Sequence, residues 1–411
     1  MTTTTPPRAL DTAFFADPDG LYQRLREEAP VSRVVTPMGL TVWLVTRYAD
    51  ARPALNDPRL SKSGATFTTL LEKQGITPAN RAHFADSLVV HMLNMDPPDH
   101  TRLRKLVSRA FTVRAIAEMR PRITAVAEEL ADAMTGDEVD LLDAFAFPLP
   151  MTVISELLGV PPERREDFRG WSNTLLSAGD PQTRTEAATA MAQFLSDLVA
   201  DKAAHPGEDM LSAIVRASED GDSLSHAEVI SMAFLLLVAG HETTVNLIAN
   251  GMLALLRHPD QLAALRADPS LVPNAVEEFL RYDGPVNLAT MRFTTEPVEI
   301  GGTVVPEGQV VLVSLIGANR DPERYERPTE LDVTRDTRGH LAFGYGIHHC
   351  LGAPLARLEG EIAFRTLLTR FPEMSLAAEP ESLTWRESTL IHGATRLPVR
   401  CRAAEPPTDP R

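Results

Sequence analysis

The sequence predicts a mainly α-helical fold with a minor β part. Three features carry this. Apolar positions recur at helical spacing along most of the 411 residues. One helical run extends from about Ser225 to His258. Strand-like patterning is confined to Val31–Arg47, Val298–Val313 and Leu383–Val399.

In chain order, residues 1–10 open with threonines and prolines that have nothing to pack, and are expected to form a disordered tail. Residues 11–411 contain no linker-like stretch and read as a single domain large enough to bury a cofactor. Leu21–Ala29 is a short amphipathic helix, and Val31–Arg47 a strand pair turning at Pro37-Met38-Gly39. Ser61–Asn94 has weak periodicity and reads as an irregular loop region, a natural place for substrate contacts. His100–Phe111 is a helix opened by Asp96-Pro97-Pro98-Asp99. Helices are expected at 113–135, 151–159, 163–178, 183–204 and 208–219. Ser225 is the N-cap of the long helix, with Glu228 completing a capping box. Another helix covers Pro273–Tyr282. Val298–Val313 turns at Gly301-Gly302 and Glu307-Gly308, and a last long helix runs from near Leu351 to just before Phe371-Pro372.

Composition narrows the function. The net charge of −16 argues against a nucleic-acid partner. Two cysteines, Cys350 and Cys401, exclude a disulfide framework, a four-cysteine zinc site and a four-cysteine iron–sulfur cluster. No basic start precedes an apolar run, as a signal peptide would require. The longest apolar run, Val229–Gly240, is too short to span a membrane and is interrupted by Ser231. A soluble, cytoplasmic protein with no membrane partner is expected.

The most informative segment is Phe343-Gly344-Tyr345-Gly346-Ile347-His348-His349-Cys350-Leu351-Gly352. Its glycines permit a tight bend and close approach to a flat ligand. Cys350 stands just before a helix, whose N-terminus favours a thiolate by about 0.3–1 kcal/mol. That is too little to hold a charge in a buried pocket, whereas a metal bond would hold it. Alone, Cys350 reads first as a buried structural cysteine. A zinc site on His348, His349 and Cys350 lacks a fourth ligand.

A second segment, Ala239-Gly240-His241-Glu242-Thr243-Thr244, lies mid-helix. Glycine there costs about 1 kcal/mol relative to alanine, and a ligand pressed against the backbone would explain it. Thr243 can bond to a carbonyl one turn back and loosen the helix. Glu242 supplies a carboxyl for proton delivery, and oxygen activation needs two protons. A polar patch where a core helix meets solvent is the plainer alternative. A zinc-protease motif would need histidine at 245, where Val245 stands. Glu278-Phe279-Leu280-Arg281 places an acid and a base on one helix face, a pair usually worth about 0.2–0.5 kcal/mol.

Together these segments resemble the cytochrome P-450 family, in its soluble actinobacterial class of macrolide and polyketide hydroxylases. The cysteine loop matches the family's haem signature at every defined position. The mid-helix segment matches the oxygen-activation motif, and Glu278–Arg281 the Glu-x-x-Arg motif. The resemblance implies a P-450 fold, with haem b buried between the long distal helix and the cysteine loop. It implies Cys350 as axial thiolate, which favours O–O cleavage, and Glu242 and Thr243 as proton relay. Glu278, Arg281 and Arg324 would form a structural network behind the haem. His100, Arg104, Arg292 and His348 would meet the propionates, with Ala239, Gly240, Phe343, Gly344 and Gly352 also against the haem. Tyr325 departs from the family's usual phenylalanine or tryptophan.

By the same resemblance, a lipophilic substrate would meet Met92, Leu93, Asn94, Leu175, Leu235, Val238, Ala239, Val286, Leu288, Ala289, Leu390 and Ile391. Any one of these could also be plain core. The implied reaction inserts one oxygen atom from dioxygen, by hydroxylation or epoxidation, with electrons from ferredoxin and ferredoxin reductase. The basic run Arg102, Arg104, Lys105, Arg109 and Arg114 is a candidate docking face for that acidic partner, or an ordinary solvated face. A sterol-like or vitamin D-like substrate is the alternative reading. The Glu242-Thr243 pair speaks against a peroxygenase or a non-catalytic haem binder.

Overall fold

The protein is described from a computed structural model covering residues 7–37, 39–64, 88, 90–176, 180–217 and 224–401. Its axis is the helix His226–Arg257, 32 residues long. Ser225 and Glu228 close the expected capping box: the Glu228 amide donates to the Ser225 hydroxyl, and the Ser225 amide to the Glu228 carboxylate. Such a cap is worth about 1 kcal/mol. By length and composition this helix could cross a membrane, but most of it is buried by other helices, so it is a core helix. Helices Pro148–Leu157, Pro181–Ala204, Val272–Asp283 and Ala353–Arg370 pack around it. Gly251 fixes the closest approach. A Cβ there would lie 2.5 Å from the Phe364 ring and 3.0 Å from Phe279, so only glycine lets the three helices meet.

The β part sits to one side. A mixed six-stranded sheet runs in the order Arg8–Ala9, Val31–Val35, Thr41–Val45, Val310–Val313, Arg292–Thr294, Leu60–Ser61. Trp43 to Val45 pair in parallel with Val311 to Val313, so the N-terminal hairpin is welded to a strand from the last third of the chain. Two further apolar clusters cover this sheet, separate from the large helical core.

Several expectations need correction. Arg8–Ala9 pairs with Val34 and Val35, and Leu10 is buried, so the ordered chain begins within the expected tail. The helix expected over 113–135 is two, Val113–Glu118 and Arg120–Ala133, because Pro121 restarts it in a first turn where its missing N–H costs nothing. Helices Pro259–Ala267 and Leu315–Asn319 were not expected. In Leu383–Val399 only Pro398–Arg400 overlaps a strand, plus isolated bridges from Trp385 to Ala394 and from Ile391 to Val286. Met38 and most of Ser61–Asn94 lie outside the described residues.

Candidate functional site

Along the buried central helix one stripe stays open. Leu235, Val238, Gly240 and Thr243 are half-buried and Ala239 is exposed, while residues on the other faces are closed. Helical spacing puts Leu235, Val238, Ala239 and Thr243 on one side, so the helix borders a hollow there. Side chains beside the stripe bond back to carbonyls one turn earlier, and the helix stays continuous. The Thr243 hydroxyl donates to the Ala239 carbonyl at 2.8 Å, Thr244 to Gly240 at 3.3 Å, and the Asn246 amide to Glu242 at 2.7 Å. The reason expected for Gly240 is corrected: a Cβ there would meet Ile154 at 3.0 Å, so helix packing already demands glycine.

The Glu242 side chain is buried. Arg386 Nη1 lies 3.1 Å from Oε2 and His241 Nε2 lies 3.6 Å from Oε1, yet neither carboxylate oxygen has an aligned hydrogen bond. Burial pushes the carboxyl up, but His241 and Arg386 outweigh it and hold it below the usual carboxylate range. Arg386 is the lasting source. His241 Nδ1 is 2.8 Å from the Leu237 carbonyl, which can only accept, so the neutral ring keeps its proton there. Nε2 then accepts from Ser172 at 3.1 Å and has no proton left for Glu242.

The cysteine loop is held by its own backbone. Cys350 N–H donates to the Phe343 carbonyl at 2.8 Å, across Gly344 and Gly346 at φ +71° and +77°. The helix Ala353–Arg370 starts three residues later. The thiol is reachable by solvent yet enclosed by protein on all sides, as a group on the wall of an internal hollow would be. Burial raises its pKa, against the amides of Gly352 and Ala353 and the charges of Arg104 and Arg357. The fold alone therefore does not ionise Cys350, and a bound metal would.

At the rim, cations gather with little to balance them. His100 is buried with neither ring nitrogen partnered, and its ring meets that of His348 at 4.4 Å. Arg292 is buried and donates to the Thr290 carbonyl at 3.0 Å; Lys62 is buried and donates to the Thr290 hydroxyl. Burial, then the charges of Lys62, His100, Arg292 and Arg104, push His348 down to about 2. Burial and Arg292 carry Lys62 well below its usual value, and burial brings Arg292 to about 10. Asp96 is the nearby counter-charge, and it is engaged by Ser61 and the Lys62 amide. Such a cluster suits a buried dianion. Lys62 escaped the sequence reading because its role depends on strand pairing: Ser61 opposite Phe293 brings Lys62 beside Arg292. A thiol at one wall, a stripe of small residues at the other and unpaired cations at the rim fit a flat iron-bearing dicarboxylate.

Glu278 and Arg281 form a fully buried pair, with contacts of 2.6 and 2.8 Å. Arg281 also donates to the carbonyls of Asn319, Pro328 and Glu330. The third basic member is Arg335, whose Nε is 3.2 Å from Glu278, and not Arg324. Arg324 is exposed, caps the Arg338 carbonyl and stacks on Tyr48 and Tyr325. It reaches the pair only through the Tyr325 ring, which also faces Arg281.

Of the expected substrate contacts, Leu93, Asn94, Val286 and Leu390 are half-buried and Met92 and Ala289 nearly closed. Val286 bridges Ile391, which joins these two segments. Leu175 and Leu288 are fully packed in core clusters, Leu288 among Leu10, Phe14 and Tyr22. In the basic run Arg102 pairs with Glu228, Arg104 with the His349 carbonyl and Arg114 with Glu118, while Lys105 and Arg109 are exposed.

Comparison with known proteins decides the family. The family model "Cytochrome P450" matches residues 182–384. Cytochrome P450 107B1 of Saccharopolyspora erythraea is 54% identical, over 95% of this chain and 97% of its own. The chain belongs to the cytochrome P450 family. The P450 is also 51% identical to the cytochrome P450 monooxygenase PikC of Streptomyces venezuelae, over 98% of this chain and 96% of the other. The tirandamycin C-bound P450 monooxygenase TamI superposes with a TM-score of 0.91 at 50% identity, covering 96% of this chain and all of TamI. This P450 is a monooxygenase whose cofactor is haem b with an axial cysteine thiolate.

Proposed function

We propose that this P450 hydroxylates or epoxidises a bulky lipophilic secondary metabolite of the macrolide or polyketide type. The observation that carries the reading is the open stripe on the central helix, with the Glu242–Thr243 pair beside it and Cys350 on a glycine-bent loop. When bound, haem with its thiolate supplies dioxygen activation. The residues do the rest. Cys350 is the thiolate, set at the start of the helix Ala353–Arg370. His100, Arg104, Arg292, His348 and, newly, Lys62 hold the propionates. Ala239 and Gly240 with Phe343, Gly344 and Gly352 border the ring. Glu242 is the carboxyl that takes up and delivers a proton, and Thr243 passes it on from a hydroxyl that bonds to the Ala239 carbonyl on the open stripe. Glu278, Arg281 and Arg335 keep the underside of the site rigid.

Met92, Leu93, Asn94, Leu235, Val238, Ala239, Val286, Ala289, Leu390 and Ile391 form the substrate wall, apolar apart from Asn94. The relatives 6-deoxyerythronolide B hydroxylase and the tirandamycin C-bound TamI support a polyketide. A sterol-like substrate is the second reading, favoured by 49% identity to a vitamin D(3) 25-hydroxylase. Electrons come from ferredoxin and its reductase in the cytoplasm. Lys105 and Arg109 would meet the ferredoxin. They lie on the helix whose Arg104 grips the cysteine loop. A depression of about 1230 Å³ adjoins the same loop; among its lining, Arg338 is paired with Asp336 and Arg357 with Glu277, while Arg52 stacks on Tyr345. Residues 11–401 act as one unit.

The test has two arms. The reduced carbon monoxide complex shows the red-shifted absorption of thiolate-ligated haem, and Cys350→Ala abolishes it. Spin-state titration of the ferric protein against macrolactones and against vitamin D3 then separates the two substrates. No response to any macrolactone rejects the first reading.

A further inference from the structure

The Arg386 that faces Glu242 lies outside the central helix, on a segment that is seated on that helix through Asn250, whose amide donates to the His392 carbonyl at 3.0 Å. It stands at the base of the C-terminal hairpin, where its amide donates to the Gly393 carbonyl at 3.0 Å and Trp385 bridges Ala394. The far arm of this hairpin carries Leu390 and Ile391. Ile391 bridges Val286, the Asn287 amide donates to the Leu390 carbonyl at 2.9 Å, and the His392 amide to Pro285 at 2.9 Å. One short piece of chain thus holds both the substrate wall and the charge on the acid.

We propose that Arg386 is a positioning residue that clamps the Glu242 carboxylate, and that a molecule filling the hollow against Leu390 and Ile391 releases the clamp. Three observations carry this. The contact is coulombic at 3.1 Å without hydrogen-bond alignment, so a turn of the Arg386 side chain weakens it while Asn250 and Asp283 keep the hairpin in place through His392. Arg386 retains 21% side-chain exposure against 2% for Glu242, so the guanidinium has room to swing and the acid has none. Among the described residues, the other groups facing the carboxyl are His241 on its own helix and, behind it, Ser172 on Arg165–Leu176, which occupies His241 Nε2. Arg386 is therefore the one permanent charge there. Proton supply would then wait for an occupied pocket, so that reducing power is not spent on dioxygen without substrate. The inference rests on Glu242 being the proton-delivering acid.

Infrared titration of the ferric holoenzyme tests it, following the C=O band of a protonated carboxyl that Glu242→Gln removes. In Arg386→Gln this band appears at higher pH than in the wild type, and Arg386→Lys restores the wild-type midpoint. Adding 4-phenylimidazole, an iron ligand that fills the hollow, moves the wild-type midpoint in the same direction and leaves Arg386→Gln unchanged. Hydrogen peroxide released per electron without substrate rises about three- to tenfold in Arg386→Gln, the range of a positioning residue's coupling. An unchanged midpoint in Arg386→Gln overturns the clamp. A probe effect that persists in Arg386→Gln, or none in the wild type, overturns its release by occupancy. Failure of the underlying reading shows separately, as Glu242→Gln protein that turns over like the wild type.

Discussion

Glu278–Arg281 and Glu242–Arg386 are two carboxylate–guanidinium pairs with a buried acid, and they are built in opposite ways. Glu278 and Arg281 sit three residues apart on one helix. Their contacts are aligned, and Arg281 hands its remaining protons to three carbonyls. Glu242 and Arg386 come from distant elements and meet at a similar distance with no alignment. The first pair has every proton assigned and no freedom left. The second keeps its lone pairs open. A buried charge pair is thus a fixture or a moving part according to how completely its hydrogen bonds are satisfied.

Breaking the fixture has the largest effect. Arg281→Ala takes from the buried Glu278 the base that meets both its oxygens and leaves it Arg335 and the Asp332 amide on one of them, a loss of about 3–5 kcal/mol. The expected outcome is aggregated or haem-free protein, read as a missing carbon monoxide difference band. Glu242→Gln tests the other pair. Its melting temperature stays near the wild type, while turnover falls about 100-fold, the lower range for loss of a general acid.

A third buried carboxyl sharpens the contrast. Glu359 has neither oxygen partnered, its neighbour Thr244 already donates to Gly240, and burial pushes it up to about 8. Its folded-state pKa lies above its unfolded value, so its stabilising contribution is complete below about 4.5. That contribution fades as pH rises toward about 8. Glu359→Gln, which cannot ionise, gains melting temperature relative to the wild type between pH 5 and pH 8.5. An equal difference at both pH values would show that the carboxyl is already charged. The smallest effect belongs to Arg324→Ala, expected to cost under about 1 kcal/mol as an exposed site. Arg335→Ala should cost clearly more in the same urea titration, because it strips a bond from Glu278.

The sequence made some of this plain and hid the rest. The capping box at Ser225 and Glu228 and the glycine bend before Cys350 are local, and local chemistry leaves a local trace. The pairing of Arg281 with Glu278 is also one helical turn. Arg324 was expected as its third member and Arg335 takes that place, because only the path of the chain between Asn319 and Arg335 chooses. Lys62 and Arg386 had no signal at all, since each owes its place to a partner more than 100 residues away. The two-helix break at Pro121 was readable from a proline in a first turn. The strand at Arg8–Ala9 was not, because two residues carry no period.

The crowding of Lys62, Arg292, His100 and His348 has a consequence for how the protein lives. Until a dianion arrives, the pairing of Leu60–Ser61 with Arg292–Thr294 crowds basic groups whose protonated forms burial and mutual repulsion disfavour, and the apo chain carries that cost alone. A ligand that binds only the folded form adds stability in proportion to the logarithm of its free concentration. Cofactor supply thereby sets how much of this chain survives in a cell, and haem starvation would remove the protein as well as silence it.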